Sequence, residues 1–188
     1  MYEGYDGLIF DMDGTILDTE PTHRKAWHAV LARYGLDFDE RTVIGLNGSP
    51  TWRIAEMIIA SHHSSLDPRA LAAEKTAVLK EMLFDTVQPL PLIDVVKAFK
   101  GRRPMAVGTG SEHAMAEALL QHLGLRDCFD AIVGADDVTR HKPEPDTFLR
   151  CAELIKVTPA RCVVFEDADF GIQAARAAGM DYVDVRLL

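Results

Sequence analysis

Cysteine is scarce in this sequence: Cys128, Cys151 and Cys162 are three among 188 residues, an odd number with no C-x-x-C pair. That spacing supports neither a disulfide framework nor a zinc site and leaves three small apolar side chains in a reducing compartment. No run approaches the roughly 18 apolar residues of a membrane span. The opening residues Met1-Tyr2-Glu3-Gly4-Tyr5-Asp6 have neither the basic start nor the apolar stretch of a secretory leader. An excess of basic charge is also missing, since 20 Lys+Arg against 29 Asp+Glu leave a net charge of −9. This argues against a general nucleic-acid binder or an anionic membrane surface as partner. No repeat or low-complexity segment stands out. The expectation is a cytoplasmic, membrane-free protein that captures any anionic substrate locally. A few placed cations and a metal suffice, because salt screens distant carboxylates beyond about 8 Å.

Against these absences stands one dense run, Phe10-Asp11-Met12-Asp13-Gly14-Thr15, delivered by the apolar stretch Leu8-Ile9-Phe10. Side chains two apart on a strand share a face, about 6.6 Å apart along its axis, so Asp11 and Asp13 can address one metal or one substrate together. Like charges that close need neutralising, and Mg²⁺ with its preference for oxygen ligands suits aspartates. The plainer alternative, a strand that merely ends in polar residues, needs neither the D-x-D spacing nor the Gly-Thr after it.

The length allows one sizeable core with an insertion. Helical periodicity without a convincing strand fills 19–34, 50–62 and 67–84. From Leu90 the pattern alternates, with helices predicted at 92–100, 112–123, 146–156 and 170–178 and strands at 104–109, 131–134, 162–166 and 182–185. Such alternation implies an α/β fold, a doubly wound parallel sheet covered on both faces, with the first strand central because it is apolar on both sides. The domain reading is an α/β core of residues 1–16 and 90–188 with a helical insertion at 17–89. Breaks at 16–20 and 85–91, the latter carrying Pro89 and Pro91, are candidate hinges for a lid. Within the lid, Trp27, Val30, Leu31 and Tyr34 recur at helical spacing and read as its core, and the adjacent His62 and His63 diverge, which speaks against a metal role.

In open α/β sheets the ligand crevice lies at the carboxyl ends of the strands, and most strand ends here supply something useful. Thr109-Gly110-Ser111 offers hydroxyls and a backbone N–H near a helix start, suited to phosphate oxygens, although Ser and Thr also serve as plain helix caps. Lys142, before Pro143, can project an ammonium inward from a loop, although most lysines are solvated. Glu166-Asp167 could complete an oxygen-rich metal site or cap the next helix, and Asp169 reads as a favourable first-turn charge.

Together, Asp11-x-Asp13, Thr109-Gly110-Ser111, Lys142 and Glu166-Asp167 resemble, in order and spacing, the four motifs of the haloacid dehalogenase superfamily phosphatases. The insertion resembles that family's helical C1 cap, which places the chain beside sugar-phosphate phosphatases and β-phosphoglucomutase-like enzymes. By that resemblance Asp11 is the nucleophile and Asp13 the general acid and base. Mg²⁺ is held by Asp11, the Asp13 backbone carbonyl and Asp167, with Glu166 on the ion or one contact behind it. Thr109, the Gly110 N–H and Lys142 hold the phosphoryl oxygens. The resemblance implies hydrolysis of small sugar phosphates, fructose 1-phosphate-like or 6-phosphogluconate-like, by a monomer, since a chain with its own lid needs no partner.

Thr19 and His23 fall where mutases of the family gate and control the acid. The mutase cap arginine is replaced by Thr51, with Arg53 close by, and Asn47, Thr51 and Arg53 are the remaining candidate substrate contacts. A sugar-phosphate mutase is therefore the alternative. More remote is a non-enzymatic phospho-acceptor module like a bacterial receiver domain, whose phosphorylated aspartate ends its third strand, where this chain has Gly134-Ala135.

Overall fold

A computed structural model describes residues 1–188, apart from the side chain of Ile44. The first strand, β1 (Gly7–Phe10), sends Leu8 and Phe10 to one face and Ile9 to the other, all fully buried. A strand apolar on both sides has to lie inside a sheet. Accordingly, β1 pairs in parallel with β4 (Met105–Gly108) and β6 (Cys162–Glu166). Outside these lie β5 (Ala131–Val133) and β7 (Asp181–Asp184), giving the order β5-β4-β1-β6-β7.

The two faces make two cores. Leu8, Phe10, Val107 and Phe165 line one, where the neighbouring rings of Phe10 and Phe165 stack at 4.7 Å under α4 (Ile93–Phe99) and α5 (His113–His122). Ile9, Ala106 and Val164 line the other with Phe148 and Cys151 of α6 (Asp146–Ile155) and Ala174 and Ala175 of α7 (Asp169–Ala177). The three cysteines are buried and unpaired.

The chain between β1 and β4 is mostly helical. Its α1 (Glu20–Ala32) buries Ala26, Trp27, Val30 and Leu31 on one stripe. Opposite lie α2 (Thr51–Ser61) and α3 (Pro68–Thr86), the latter capped by Asp67, whose side chain accepts from the Ala70 N–H at 2.7 Å. Trp27, Val30 and Leu31 join Ile58 and Leu71 in a third apolar cluster. Tyr34 corrects the sequence reading: the helix stops at Ala32, so Tyr34 leaves the apolar phase and is 41% exposed, its hydroxyl donating to Glu74. The linkers also differ from expectation, because β2 (Leu17–Asp18) and β3 (Gln88–Pro89) pair antiparallel as a two-residue ribbon. The ribbon continues the turn after β1, since the Gly14 N–H donates to Leu17 O at 2.8 Å and the Leu90 N–H to Ile16 O at 2.8 Å. The far half of α3 is not lid alone: Leu79 and Leu83 belong to the core cluster under the sheet. Among the described residues no helix is long and apolar enough to cross a membrane.

Candidate active site

The carboxyl ends of β1, β4 and β6 meet beneath the lid, and the charged residues converge there. Asp11 is 3% exposed. One of its carboxylate oxygens accepts from Lys142 Nζ at 2.7 Å and the other from the Thr15 hydroxyl at 3.0 Å. Lys142 also donates to Glu166 at 2.8 Å and to the Gly108 carbonyl at 3.1 Å, so the loop after β5 anchors its ammonium between two strand ends. Glu166, wholly buried, accepts at its other oxygen from the Asp167 and Ala168 N–H groups at 3.1 Å each, which fixes the start of α7. A Cβ on Gly171 would lie 1.9 Å from the Glu166 carboxyl, so this first-turn glycine makes the room that carboxylate occupies.

Asp11, Glu166 and Asp167 each present an oxygen within 4.8 Å of the others. Three carboxylates against one ammonium leave two negative charges in a buried place. Burial, then mutual repulsion, pushes Asp167 up to about 7 and raises Asp11 and Glu166 as well. Burial works against the Lys142 charge, but Asp11 and Glu166 hold its pKa above the ordinary lysine value. A divalent, oxygen-seeking cation matches both the charge deficit and the donor set, so these residues fit Mg²⁺.

Asp13 faces the lid instead. Its Oδ1 accepts from the Thr19 hydroxyl at 2.6 Å and His23 Nε2 at 3.1 Å, and its Oδ2 from the hydroxyls of Ser111 at 2.9 Å and Thr109 at 3.2 Å. Burial alone would raise it, but His23 first, then Thr19 and Ser111, hold it well below the usual carboxylate range. Behind His23 stands Lys75, 1% exposed, its Nζ 2.6 Å from His23 Nδ1 and 5.3 Å from the Trp27 ring centre. An ammonium can only donate, so Nδ1 accepts and Nε2 carries the proton that His23 gives to Asp13. Burial pulls Lys75 down to about 8 against the attraction of Asp13 and Glu20.

The predicted residues divide accordingly. Asp11, Thr109, Gly110, Lys142, Glu166 and Asp167 gather at the strand ends, while Asp13, Thr19 and His23 form the bridge to the lid. Asn47 and Thr51 line the cavity above, about 90 Å³ in volume, with Glu20, Ser49 and Lys75. Arg53 is not in its wall; its guanidinium donates to the Lys142 carbonyl at 3.1 Å and lies 5.5 Å from the Trp52 ring centre. His62 bonds the Asp37 carbonyl at 2.7 Å, away from any ligand set. Lys75, Glu20 and Ser49 had no sequence signal, being ordinary helix and loop residues that only tertiary packing turns inward.

A parallel α/β sheet with an acidic crevice at its carboxyl edge, roofed by an inserted helical lid, is the architecture of one class of hydrolases. The haloacid dehalogenase-like hydrolase family model matches residues 5–179, and the chain belongs to that family. It is 71% identical over 188 residues to the fructose-1-phosphate phosphatase of Escherichia coli K12, covering all of both chains. It is 30% identical to the phosphorylated carbohydrates phosphatase of Thermotoga maritima, covering 95% of this chain and 83% of that one. A crystal structure of β-phosphoglucomutase from Clostridium difficile superposes with a TM-score of 0.83 at 29% identity, covering 95% of this chain and 83% of that one.

Proposed function

We propose that this hydrolase is a Mg²⁺-dependent phosphatase of small sugar phosphates that works through an aspartyl-phosphate on Asp11. The observation that carries this reading is Asp11 itself, a buried carboxylate at the cavity floor with Lys142 on one oxygen and Thr15 on the other. Asp11, Asp167 and the Asp13 backbone carbonyl would hold the ion, with Glu166 on it or bracing Lys142. Bound there, Mg²⁺ supplies positive charge beside the phosphoryl oxygens.

An Asp11 oxygen attacks phosphorus as the phosphorus–oxygen bond to the sugar breaks. Asp13, entering protonated, gives its proton to the departing alkoxide, then takes one from the water that hydrolyses the acyl phosphate, which restores the Asp11 carboxylate and the Asp13 acid. Thr109, the Gly110 N–H and Lys142 hold phosphoryl oxygens. The Asp13 contacts favour its base form before substrate binds, and the Lys75–His23 pair is placed to load the proton with which Asp13 enters the cycle. General acid–base help contributes only about 10²–10⁴ of an acceleration that can approach 10²¹ for phosphate monoesters, so charge and positioning supply the rest.

The 71% identity to a fructose-1-phosphate phosphatase supports a ketose 1-phosphate as substrate, and Thr51 in place of the mutase arginine supports hydrolysis over isomerisation. Phosphate release from a sugar-phosphate panel tests this, with isomer formation followed in parallel. Asp11→Asn is expected to lose at least about a thousandfold in kcat. Chelation should stop turnover and Mg²⁺ restore it, and trifluoroberyllate should form its adduct on Asp11. Dominant isomerisation, or catalysis surviving Asp11→Asn, overturns the reading.

A further inference from the structure

Lys142 has no free proton to offer a substrate. An ammonium has three N–H bonds, and all three are taken here, by Asp11 at 2.7 Å, Glu166 at 2.8 Å and the Gly108 carbonyl at 3.1 Å. A phosphoryl oxygen must therefore displace one of these acceptors, and the exchange keeps its aim only if the backbone beneath the side chain stays put. The core holds that backbone thinly. Lys142 lies in the loop between β5 and α6, in a turn closed by the Glu144 N–H donating to the His141 carbonyl at 2.9 Å, and Pro143 after it has no N–H to give. Among the described residues one hydrogen bond reaches the Lys142 backbone itself, from the Arg53 guanidinium to the Lys142 carbonyl at 3.1 Å.

Arg53 belongs to the lid. It sits in the first turn of α2 with its guanidinium 5.5 Å from the ring centre of its neighbour Trp52, whose ring in turn meets that of His141 edge-on at 6.2 Å. Two consecutive lid residues, Trp52 and Arg53, thus grip two consecutive loop residues, His141 and Lys142. The stem of Lys142 is covered from the same side, because a Cβ on Gly48 of the lid would lie 3.3 Å from Lys142 Cδ.

We propose that Arg53 is a positioning residue, which holds the Lys142 carbonyl while the lid is down and so lets the ammonium turn from its protein acceptors to the phosphoryl group without losing its aim. Once lid and core part, that carbonyl is left to water. This rests on the phosphatase reading and adds to it a link between lid closure and chemistry. Arg53, a candidate substrate contact by sequence, thus acts through Lys142 rather than on the sugar. A guanidinium suits the task because its hydrogen bonds are charge-assisted and its planar fork keeps a fixed direction.

The test measures kcat and KM on fructose 1-phosphate and p-nitrophenyl phosphate for the native chain, Arg53→Met and Arg53→Ala, with the active sites of each preparation counted by trifluoroberyllate titration. Arg53→Met keeps an apolar stem beside Trp52 and removes the donor. It should lower kcat per titrated site about tenfold on both substrates, the scale of one hydrogen bond to a charged group, because Lys142 serves the phosphoryl group that both share. Millimolar methylguanidinium should restore part of the kcat of Arg53→Ala, since it can enter the vacated place and donate to the Lys142 carbonyl. Tetramethylammonium, a cation without an N–H, should not. A lower urea midpoint with kcat per titrated site unchanged would make Arg53 a structural residue and overturn the assignment. So would a raised KM for fructose 1-phosphate alone, which would put Arg53 on the sugar, or equal rescue by both cations. Each of these leaves the phosphatase reading standing. A native chain that forms no trifluoroberyllate adduct on Asp11 and releases no phosphate from either compound overturns the assignment together with the reading beneath it.

Discussion

Asp11 and Asp13 are two residues apart and electrostatically opposite. Asp11 sits in a buried crowd of carboxylates that raises its pKa, while Asp13 collects four donors and is lowered. An acid role for Asp13 predicts that Asp13→Asn slows sugar phosphates much more than aryl phosphates, whose leaving groups need no proton; equal losses in a steady-state comparison would remove Asp13 from that role. Lys75 carries a second prediction. Held at about 8 when folded, against an ordinary 10.5, it binds its proton less tightly in the native chain than in the unfolded one. Its charge therefore opposes folding fully below pH 8, and the penalty fades as pH rises toward 10.5. Lys75→Met should raise stability at pH 7 by about 1–3 kcal/mol and slow sugar-phosphate turnover, the gain shrinking in urea titrations repeated near pH 10. The contrast also shows what local sequence conveys. Asp11, Asp13 and Thr109 are legible because strand-end chemistry needs those types at fixed spacing. Lys75 is not, since its partner His23 lies 52 residues away and its burial follows from α1 meeting α3.

Among the elements, the alternating strands and helices are read well because each carries a period of its own, and β1 announces its central place through Leu8, Ile9 and Phe10. The β2–β3 ribbon escapes, for two residues a side hold no period to detect. Tyr34 escapes because a repeating pattern does not say where its helix stops. At the junction of β6 and α7, Gly171 leaves room for the Glu166 carboxyl. Gly171→Ala should displace that carboxyl from Lys142, lowering stability by about 1–3 kcal/mol and kcat with it. Urea unfolding and phosphate release on the same preparation check this; full activity with native stability would show that Glu166 need not hold Lys142.

At the scale of the molecule, lid and core meet where Gly110 touches the loop before α2: a Cβ there would lie 2.5 Å from the Gly48 carbonyl. The cavity beneath, about 90 Å³, is smaller than the 300–1,000 Å³ of ordinary ligand pockets, so a hexose phosphate needs lid and core to part further before it reaches Asp11. Outside Thr51 and Gly110 a second cavity of about 560 Å³ runs between lid and core, past Trp52 and His141. Gly110→Ala should wedge this contact, raising KM for sugar phosphates and making the linkers near Asp18 and Gln88 quicker to cut in limited proteolysis with substrate present. Unchanged KM and cleavage would mean that closure does not need the contact.

The split allegiance of α3 gives this closure its mechanics. Leu79 and Leu83 root the helix beneath the sheet while Leu71 holds its other end in the lid. Its 19 residues make a rod of about 28 Å, and a tilt of some 10° about the rooted end carries the tip through roughly 5 Å. On this geometry α3 can serve as a lever with a hydrophobic fulcrum, and trimming a methyl group there is expected to alter how far the distant tip swings.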